Sequence, residues 1–310
     1  MKVFFNRKVR RTPWGGGIHF MNALVDHLIG RGHQVVFDLQ NDIDVIFMMD
    51  PRYEDGGGYS IKEIAQYKSY HPSTRIIHRI NECDARKNTR EIDDLLLRSN
   101  SIADVTIFIS EWLKRYFHDL GLTRESSVIY NGCNTEFFYP DSARRTIQPV
   151  KLVTHHWSDN WMKGFDAYKA IDQICQNNPE KFQFTYVGRY SKDYSPTATR
   201  IVSPLYGKDL GGELRKHDVY ITASRWEPCG MHHIEGAASG LPVLYHRDGG
   251  GIPEGCRLHG IEFNSDNLHQ KLEEMLSSMD SLRKKIDYSF LSMDRCLQGY
   301  TKIIEEKCLG

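Results

Sequence analysis

Two glutamates eight positions apart, Glu227 and Glu235, are the residues in this chain best suited to chemistry. They lie in Thr222–Glu235, TASRWEPCGMHHIE, where a strand-like run gives way to a loop and then to a helix opened by Gly230. The spacing puts Glu227 ahead of the helix and Glu235 about a turn and a half inside it, facing one strand-end cleft. Carboxylates so placed can grip paired hydroxyls, and the start of the helix can take a phosphate. The plain alternative is one Glu favouring the helix macrodipole and a second in solvent. Lys163-Gly164 follows another strand-like run and precedes a helix, and an ammonium there could neutralise a leaving diphosphate.

Two glycine-rich loops stand in comparable places. Asn6–Gly17 carries Arg7, Lys8, Arg10 and Arg11, then Trp14 and three glycines, between a strand and a helix. Backbone amides can approach an anion there, although the spacing is not a dinucleotide-binding G-x-G-x-x-G. Val243–Glu254, VLYHRDGGGIPE, is the second such loop. Trp157 and Trp161 could stack on a base or sugar. Other signals carry less. Asp42-Ile43-Asp44 has a D-x-D pattern but stands at the start of a strand, not at its carboxyl end. His155-His156 and His232-His233 are adjacent pairs, which diverge on a strand or helix and do not have zinc-ligand spacing. No Walker A sequence and no Gly-x-Ser-x-Gly elbow occurs.

The elements that must position these residues alternate along nearly the whole chain. Strand-like runs at Lys2–Phe5, Gln34–Leu39, Asp44–Met49, Ile76–Ile80, Val105–Ile109 and Val128–Tyr130 alternate with helical periodicity at Gly17–Gly30, Ile61–Tyr70, Arg90–Ser99 and Glu111–Leu120. The rhythm restarts with strands at Lys151–His155, Phe182–Val187, Val219–Thr222 and Leu241–Tyr245. Helices are expected between them, then near Leu268–Met279 and finally over Ser289–Lys307. Continuous apolar strands alternating with helices predict parallel sheets covered on both faces, in two doubly wound α/β domains. Tyr139–Pro149 reads as the linker. Ligands in such sheets lie beyond the strands' carboxyl ends, where the loops above are placed.

Composition bounds the rest. The 310 residues carry 40 basic and 40 acidic side chains, which argues against a nucleic-acid coat. No apolar run is long enough to span a bilayer, and the amino-terminal MKVFF reads as a buried strand, not a leader. Seven cysteines without a C-x-x-C suggest reduced thiols in a cytoplasmic protein.

Taken together, the chain resembles the retaining GT-B glycosyltransferases of family 4, the glycosyl transferases group 1. The Glu227/Glu235 pair has that family's E-x7-E spacing. Val128–Pro140, VIYNGCNTEFFYP, looks like its stretch ahead of the linker, and Ala238–Glu254 like the segment after the E-x7-E helix. The resemblance implies two Rossmann-like domains facing a central cleft: an acceptor-side domain over 1–147 and a nucleotide-sugar-binding domain over 148–288. A terminal helix over about 289–310 would pack back on the first domain.

The resemblance also implies roles. Glu235 would hold the donor's ribose, Glu227 the transferred sugar, and Lys163 the diphosphate, with the backbone of Gly230 and Met231 and, from the first domain, Gly16 and Gly17. Where the family carries Gly-Arg, this chain reads His155-His156-Trp157, and Arg189 could substitute. Where the family carries a sugar-contacting His, the candidates are Asn81 and His78. The implied activity is metal-independent, cofactor-free transfer of a hexose from a nucleoside-diphosphate sugar, UDP first and GDP second, to a glycan or lipid-linked hydroxyl. The alternatives are a GT-B sugar-nucleotide epimerase or hydrolase, and a catalytically weak nucleotide-sugar-binding subunit. Arg7, Lys8, Arg10 and Arg11 with Arg86, Lys87 and Arg90 could give peripheral contact with anionic lipid.

Overall fold

The computed structural model describes residues 1–9, 15–52, 58–141 and 147–308. The first ten elements are β1 (Lys2–Phe5), α1 (Gly16–Gly30), β2 (Gln34–Val36), β3 (Val45–Met48), α2 (Ile61–Tyr70), β4 (Arg75–Ile80), α3 (Ile92–Asn100), β5 (Val105–Phe108), α4 (Glu111–Asp119) and β6 (Ser126–Val128). Then come β7 (Val150–His156), α5 (Phe165–Asn177), β8 (Phe182–Gly188), β9 (Arg200–Val202), α6 (Gly207–Leu214) and β10 (Val219–Thr222). The chain closes with α7 (Met231–Ala238), β11 (Val243–His246), α8 (Ile252–Cys256), β12 (Gly260–Phe263), α9 (Leu268–Arg283), α10 (Tyr288–Leu291) and α11 (Met293–Cys308).

These form two compact units, Met1–Tyr130 with the segment from Asp294 onward, and Asn131–Met293. Each holds one parallel six-stranded sheet, ordered β2-β1-β3-β4-β5-β6 and β12-β11-β10-β7-β8-β9. In the second sheet the chain winds from β7 out to β9, then returns to lay β10 on the other side of β7. That reversal opens a crevice at the carboxyl ends of β7 and β10, the usual ligand position in doubly wound sheets.

Local chemistry explains why the elements begin where they do. Ser60 accepts from the Lys62 amide while Glu63 accepts from the Ser60 amide at 2.8 Å, closing a capping box on α2. Ser110 caps α4 through the Leu113 amide at 3.1 Å. Helix α1 buries Phe20, Met21, Leu24, Val25 and Leu28, the stripe expected of one face of a helix. The core of the second sheet runs from Leu152, Phe184 and Ile221 to Tyr168, Ile171, Leu272 and Met275 on the helices.

The division between units falls at Tyr130/Asn131, not within Tyr139–Pro149, and 142–146 of that segment lie outside the described residues. Asn131 donates its amide to the Cys229 carbonyl at 2.7 Å. Cys133 exchanges backbone bonds with Leu291 and Met293, and Arg215 donates to the Phe137 carbonyl at 2.7 Å. These bonds commit 131–139 to the second unit. The expected single terminal helix is two, broken at Ser292, whose ψ of 137° is extended. In α11, Tyr300 is wholly buried against Phe20 and Phe47, and its hydroxyl accepts from Arg79 at 2.9 Å. Among the described residues no helix is long and apolar enough to cross a membrane.

Eight described histidines are buried, and six of them sit deep enough for a large shift. Desolvation holds His78 and His233 at a pKa of about 3, His217 and His259 at about 4, and His156 and His232 well below the ordinary imidazole range. Each is neutral in the folded chain and titrates normally once unfolded. Their stabilisation is therefore complete above pH 6.5 and is lost as pH falls towards 4 and 3. Thermal unfolding followed against pH should show uptake of at least about three protons near pH 5.5. A melting temperature flat from pH 7 to 5 would contradict this placement.

Candidate active site

The crevice between β7 and β10 is lined by residues from three loops. After β7 the chain makes a single 3-10 turn, Trp161–Lys163, in which the Asn160 side chain accepts from the Met162 amide at 2.9 Å. Gly164 ends the turn with φ 89°, a left-handed conformation that favours glycine. A Cβ there would lie 2.2 Å from the Ala223 carbonyl, so the turn seats against the loop after β10 only because this residue has no side chain. The Met162 carbonyl then accepts from the Arg225 amide at 3.0 Å, and the Arg225 guanidinium pairs with Asp166.

This stitching brings Lys163 to Glu227. The ammonium lies 2.5 Å from Oε2, with side-chain exposures of 11% and 5%. The far side of the loop is held as well. The Trp226 amide donates to Asp248 and the Gly251 amide to the Glu227 carbonyl, both at 2.8 Å. Glu227 is thus clamped between the turn after β7 and the glycine loop after β11. Two charges this far from water need each other, because desolvation costs several kcal/mol per ion (order of magnitude) when unpaired.

Gly230 caps α7 without any side-chain hydrogen bond, and no acidic residue occupies the first turn. A Cβ on Gly230 would meet the His232 ring at 2.5 Å and Glu227 Cγ at 3.1 Å. The glycine keeps the helix start open beside the Lys163–Glu227 pair, with Met231 as the first helical residue. One turn further on, Glu235 Oε2 lies 2.7 Å from His155 Nε2. The other ring nitrogen of His155 is 3.1 Å from the Tyr220 hydroxyl.

The adjacent histidines separate as strand geometry requires. His155 reaches Glu235, whereas His156 turns inward to the Tyr168 hydroxyl at 2.7 Å. His232 bonds to Thr222 at 2.8 Å. Among the described residues no group of three His, Cys, Asp or Glu is arranged to hold a metal ion. Asp42 of the D-x-D pattern pairs with Lys2 at 2.5 Å.

Arg189 stands on the β8 side. Its amide donates to the His156 carbonyl at 3.1 Å and its guanidinium lies 4.1 Å over the Trp157 ring, which is 5.5 Å from Tyr206. The Gly-Arg position is therefore filled by a histidine paired with Glu235, while the nearest arginine after β8 is stacked on Trp157. The partnership of His155 with Glu235 was not foreseen from sequence. Its signal was the departure at His155-His156-Trp157 itself.

In the first unit, Gly16 and Gly17 open α1, again with no side-chain cap and no acidic residue in the first turn. A Cβ on Gly17 would be 4.0 Å from Asn81 Nδ2, so the start of α1 and the end of β4 are neighbours. Of the two candidates at β4, Asn81 directly follows the strand and keeps its place at the carboxyl end, whereas His78 lies within it. His78 is fully buried, 3.1 Å from Asn100, and that amide also donates to Thr106 at 2.8 Å. A side chain locked inside the sheet layer cannot meet a ligand, so His78 is withdrawn as a site residue. Arg10, Arg11 and Trp14 lie outside the described residues. Arg7 pairs with Asp50 at 3.5 Å, and Arg86 and Lys87 with Glu82 at 2.9 and 3.3 Å.

Residues 156–278 match the sequence profile of the family described as Glycosyl transferases group 1. An uncharacterized glycosyltransferase of Methanocaldococcus jannaschii is 26% identical over 224 residues, 66% of this chain and 60% of that protein. The match thus spans less than two thirds of that relative's length. Among solved structures, sucrose-phosphate synthase of Thermosynechococcus elongatus superposes with a TM-score of 0.69 at 14% identity, covering 98% of each chain. HepE of Anabaena, solved with UDP and glucose, gives 0.70 at 13% identity over 98% of this chain and 99% of its own. WaaG, a glycosyltransferase involved in lipopolysaccharide biosynthesis, gives 0.68 at 13% identity over 99% and 100%. At these identities the structural likeness is one of fold. With both sheets in place, the chain has the GT-B fold, and its second unit carries the match to the Glycosyl transferases group 1 profile.

Proposed function

We propose that the β7/β10 crevice binds a nucleoside-diphosphate sugar and that the protein is a retaining, metal-independent glycosyltransferase. The donor is a hexose on UDP, with GDP second, and the acceptor a hydroxyl of a glycan or a lipid-linked saccharide. The observation that carries this reading is the Lys163–Glu227 pair beside the uncapped start of α7, with Glu235 one turn into the same helix and bonded to His155 at the end of β7. An ammonium and helix-end amides suit a diphosphate, and two carboxylates suit the hydroxyls on either side of it. HepE, of the same fold, has been solved with UDP and glucose and with UDP-glucose, in keeping with that donor class.

In this reading the bond from the sugar's anomeric carbon to the phosphate oxygen breaks, and its electron pair leaves with the diphosphate. Lys163 and the amides of Gly230 and Met231 neutralise the charge that develops there. Glu227 holds the sugar's hydroxyls beside Lys163, and Glu235 the ribose. An acceptor hydroxyl held on the same face attacks the oxocarbenium-like carbon, and its proton passes to the departing phosphate oxygen. Gly16, Gly17 and Asn81 are the first unit's candidates for donor contact. Six described cysteines are free and buried, consistent with work in a reducing cytoplasm, at the membrane surface where the acceptor is lipid-linked.

Melting curves with UDP, GDP, ADP and TDP test the donor site. One nucleotide at about 100 times its dissociation constant should add about 2.7 kcal/mol of stability, a rise of roughly 4 °C. Lys163→Ala and Glu235→Ala should each abolish most of that rise. No rise with any nucleotide would overturn the reading, and sugar release without transfer to any acceptor would assign a hydrolase or epimerase instead.

The charge pair gives a separate expectation. Lys163→Met, which strands Glu227 without that cation, should cost about 3 kcal/mol of stability. Adding Glu227→Gln should restore most of it without restoring nucleotide binding. A double variant no more stable than Lys163→Met would contradict the pairing.

A further inference from the structure

His155 is held at both ring nitrogens. Its Nδ1 lies 3.1 Å from the Tyr220 hydroxyl, and its own backbone amide donates to that hydroxyl at 3.2 Å. Tyr220 stands in β10 and is fully buried. Having accepted from the amide, the hydroxyl either gives its hydrogen to Nδ1 or accepts a second from it and turns towards the His155 carbonyl at 3.4 Å. An ionised carboxylate only accepts, so in the neutral ring the hydrogen sits on Nε2 and is donated to Glu235 Oε2, 2.7 Å away, which selects the arrangement in which the hydroxyl donates to Nδ1. The ring is thus a strut from β10 through the end of β7 to α7.

Glu235 is only 14% exposed in its side chain, and among the described residues His155 is the one side chain that bonds it. A carboxylate has about four lone-pair directions. With one on Oε2 taken by His155, the remainder on Oε2 and both on Oε1 stay open. Two adjacent hydroxyls, each donating one hydrogen, match a carboxylate fixed in this way. A ribose supplies such a pair, and a 2′-deoxyribose does not. A missing hydroxyl leaves a partly buried carboxylate short of a donor, a loss that polar sites punish more heavily than lost apolar contact.

We infer that His155 is the positioning residue that aims Glu235 at the ribose diol, and that through it the site selects ribonucleoside over 2′-deoxyribonucleoside diphosphates. This rests on the reading of Glu235 as the ribose carboxylate. His155 itself need not touch the nucleotide.

Titration calorimetry of the full chain with UDP and 2′-deoxy-UDP, and with GDP and 2′-deoxy-GDP as a second pair, tests the inference. The unaltered protein should favour the ribonucleotide about tenfold or more. His155→Leu should reduce that ratio to about twofold, chiefly by weakening the ribonucleotide, and His155→Gln, whose carboxamide can donate to Glu235, should keep most of it. A purely structural role for His155 would weaken both nucleotides by the same factor and leave the ratio intact, which would overturn the inference. If His155→Leu does not fold, Tyr220→Phe carries the test. It removes only the hydroxyl and should lower the ratio about threefold, and an unchanged ratio would overturn the strut. A ratio near one in the unaltered protein would instead overturn the ribose reading of Glu235. Failure of both pairs to bind would overturn the nucleotide site and the inference together.

Discussion

A carboxylate with 5% of its side chain exposed must be met by a cation or be protonated, and Glu227 is met by Lys163 at 2.5 Å. Much of the second unit's local architecture follows from holding that pair. Lys163 can reach Glu227 because a one-turn 3-10 segment ends in a left-handed glycine that fits under the Ala223 carbonyl. Glu227 stays in place because the loop after β11 bonds its carbonyl and the amide before it. A ligand arriving at the start of α7 therefore meets charge already fixed in position. Such preorganisation is how a site stabilises developing charge without reorganising at the moment of reaction.

The strand order decides where this happens. Because β10 returns beside β7, their loops diverge to opposite faces and leave a crevice at the carboxyl edge. Both carboxylates enter from the same side, one just before α7 and one within it. The two are held by different means: Glu227 by the ammonium of Lys163, Glu235 by the imidazole of His155. His156, one residue on, faces the opposite way and is tied to Tyr168 in the core. One histidine of the run serves the site and the next serves the fold.

How much of this the sequence disclosed depends on how local each feature is. Helix α2 matches its expected span, and α1 begins within one residue of it, because apolar periodicity and caps are written in consecutive residues. The edge strands β9 and β12 were not anticipated. Each has at most four residues and alternating or open exposure, so neither leaves the continuous apolar run that marks a central strand. The loops bearing Lys163, Glu227 and Glu235 could be placed after strands from pattern alone. The pairing of His155 with Glu235 could not, since it depends on how the end of β7 faces α7 across 80 positions of sequence. His78 misled for a related reason. In a sheet covered on both faces, a polar residue two places from a strand's end can lie wholly inside, as its bond to Asn100 shows.

The fold and the group 1 match say what the chain is similar to, and the site geometry carries the proposed reading of its ligand. The most direct test of that reading is a crystal structure of the full chain with a bound nucleoside diphosphate. The account predicts the diphosphate at the start of α7 within hydrogen-bond distance of Lys163, and the ribose hydroxyls on Glu235 with His155 still bonded behind it. A nucleotide bound elsewhere, or a diphosphate at α7 out of reach of Lys163 with the ribose away from Glu235, would contradict it.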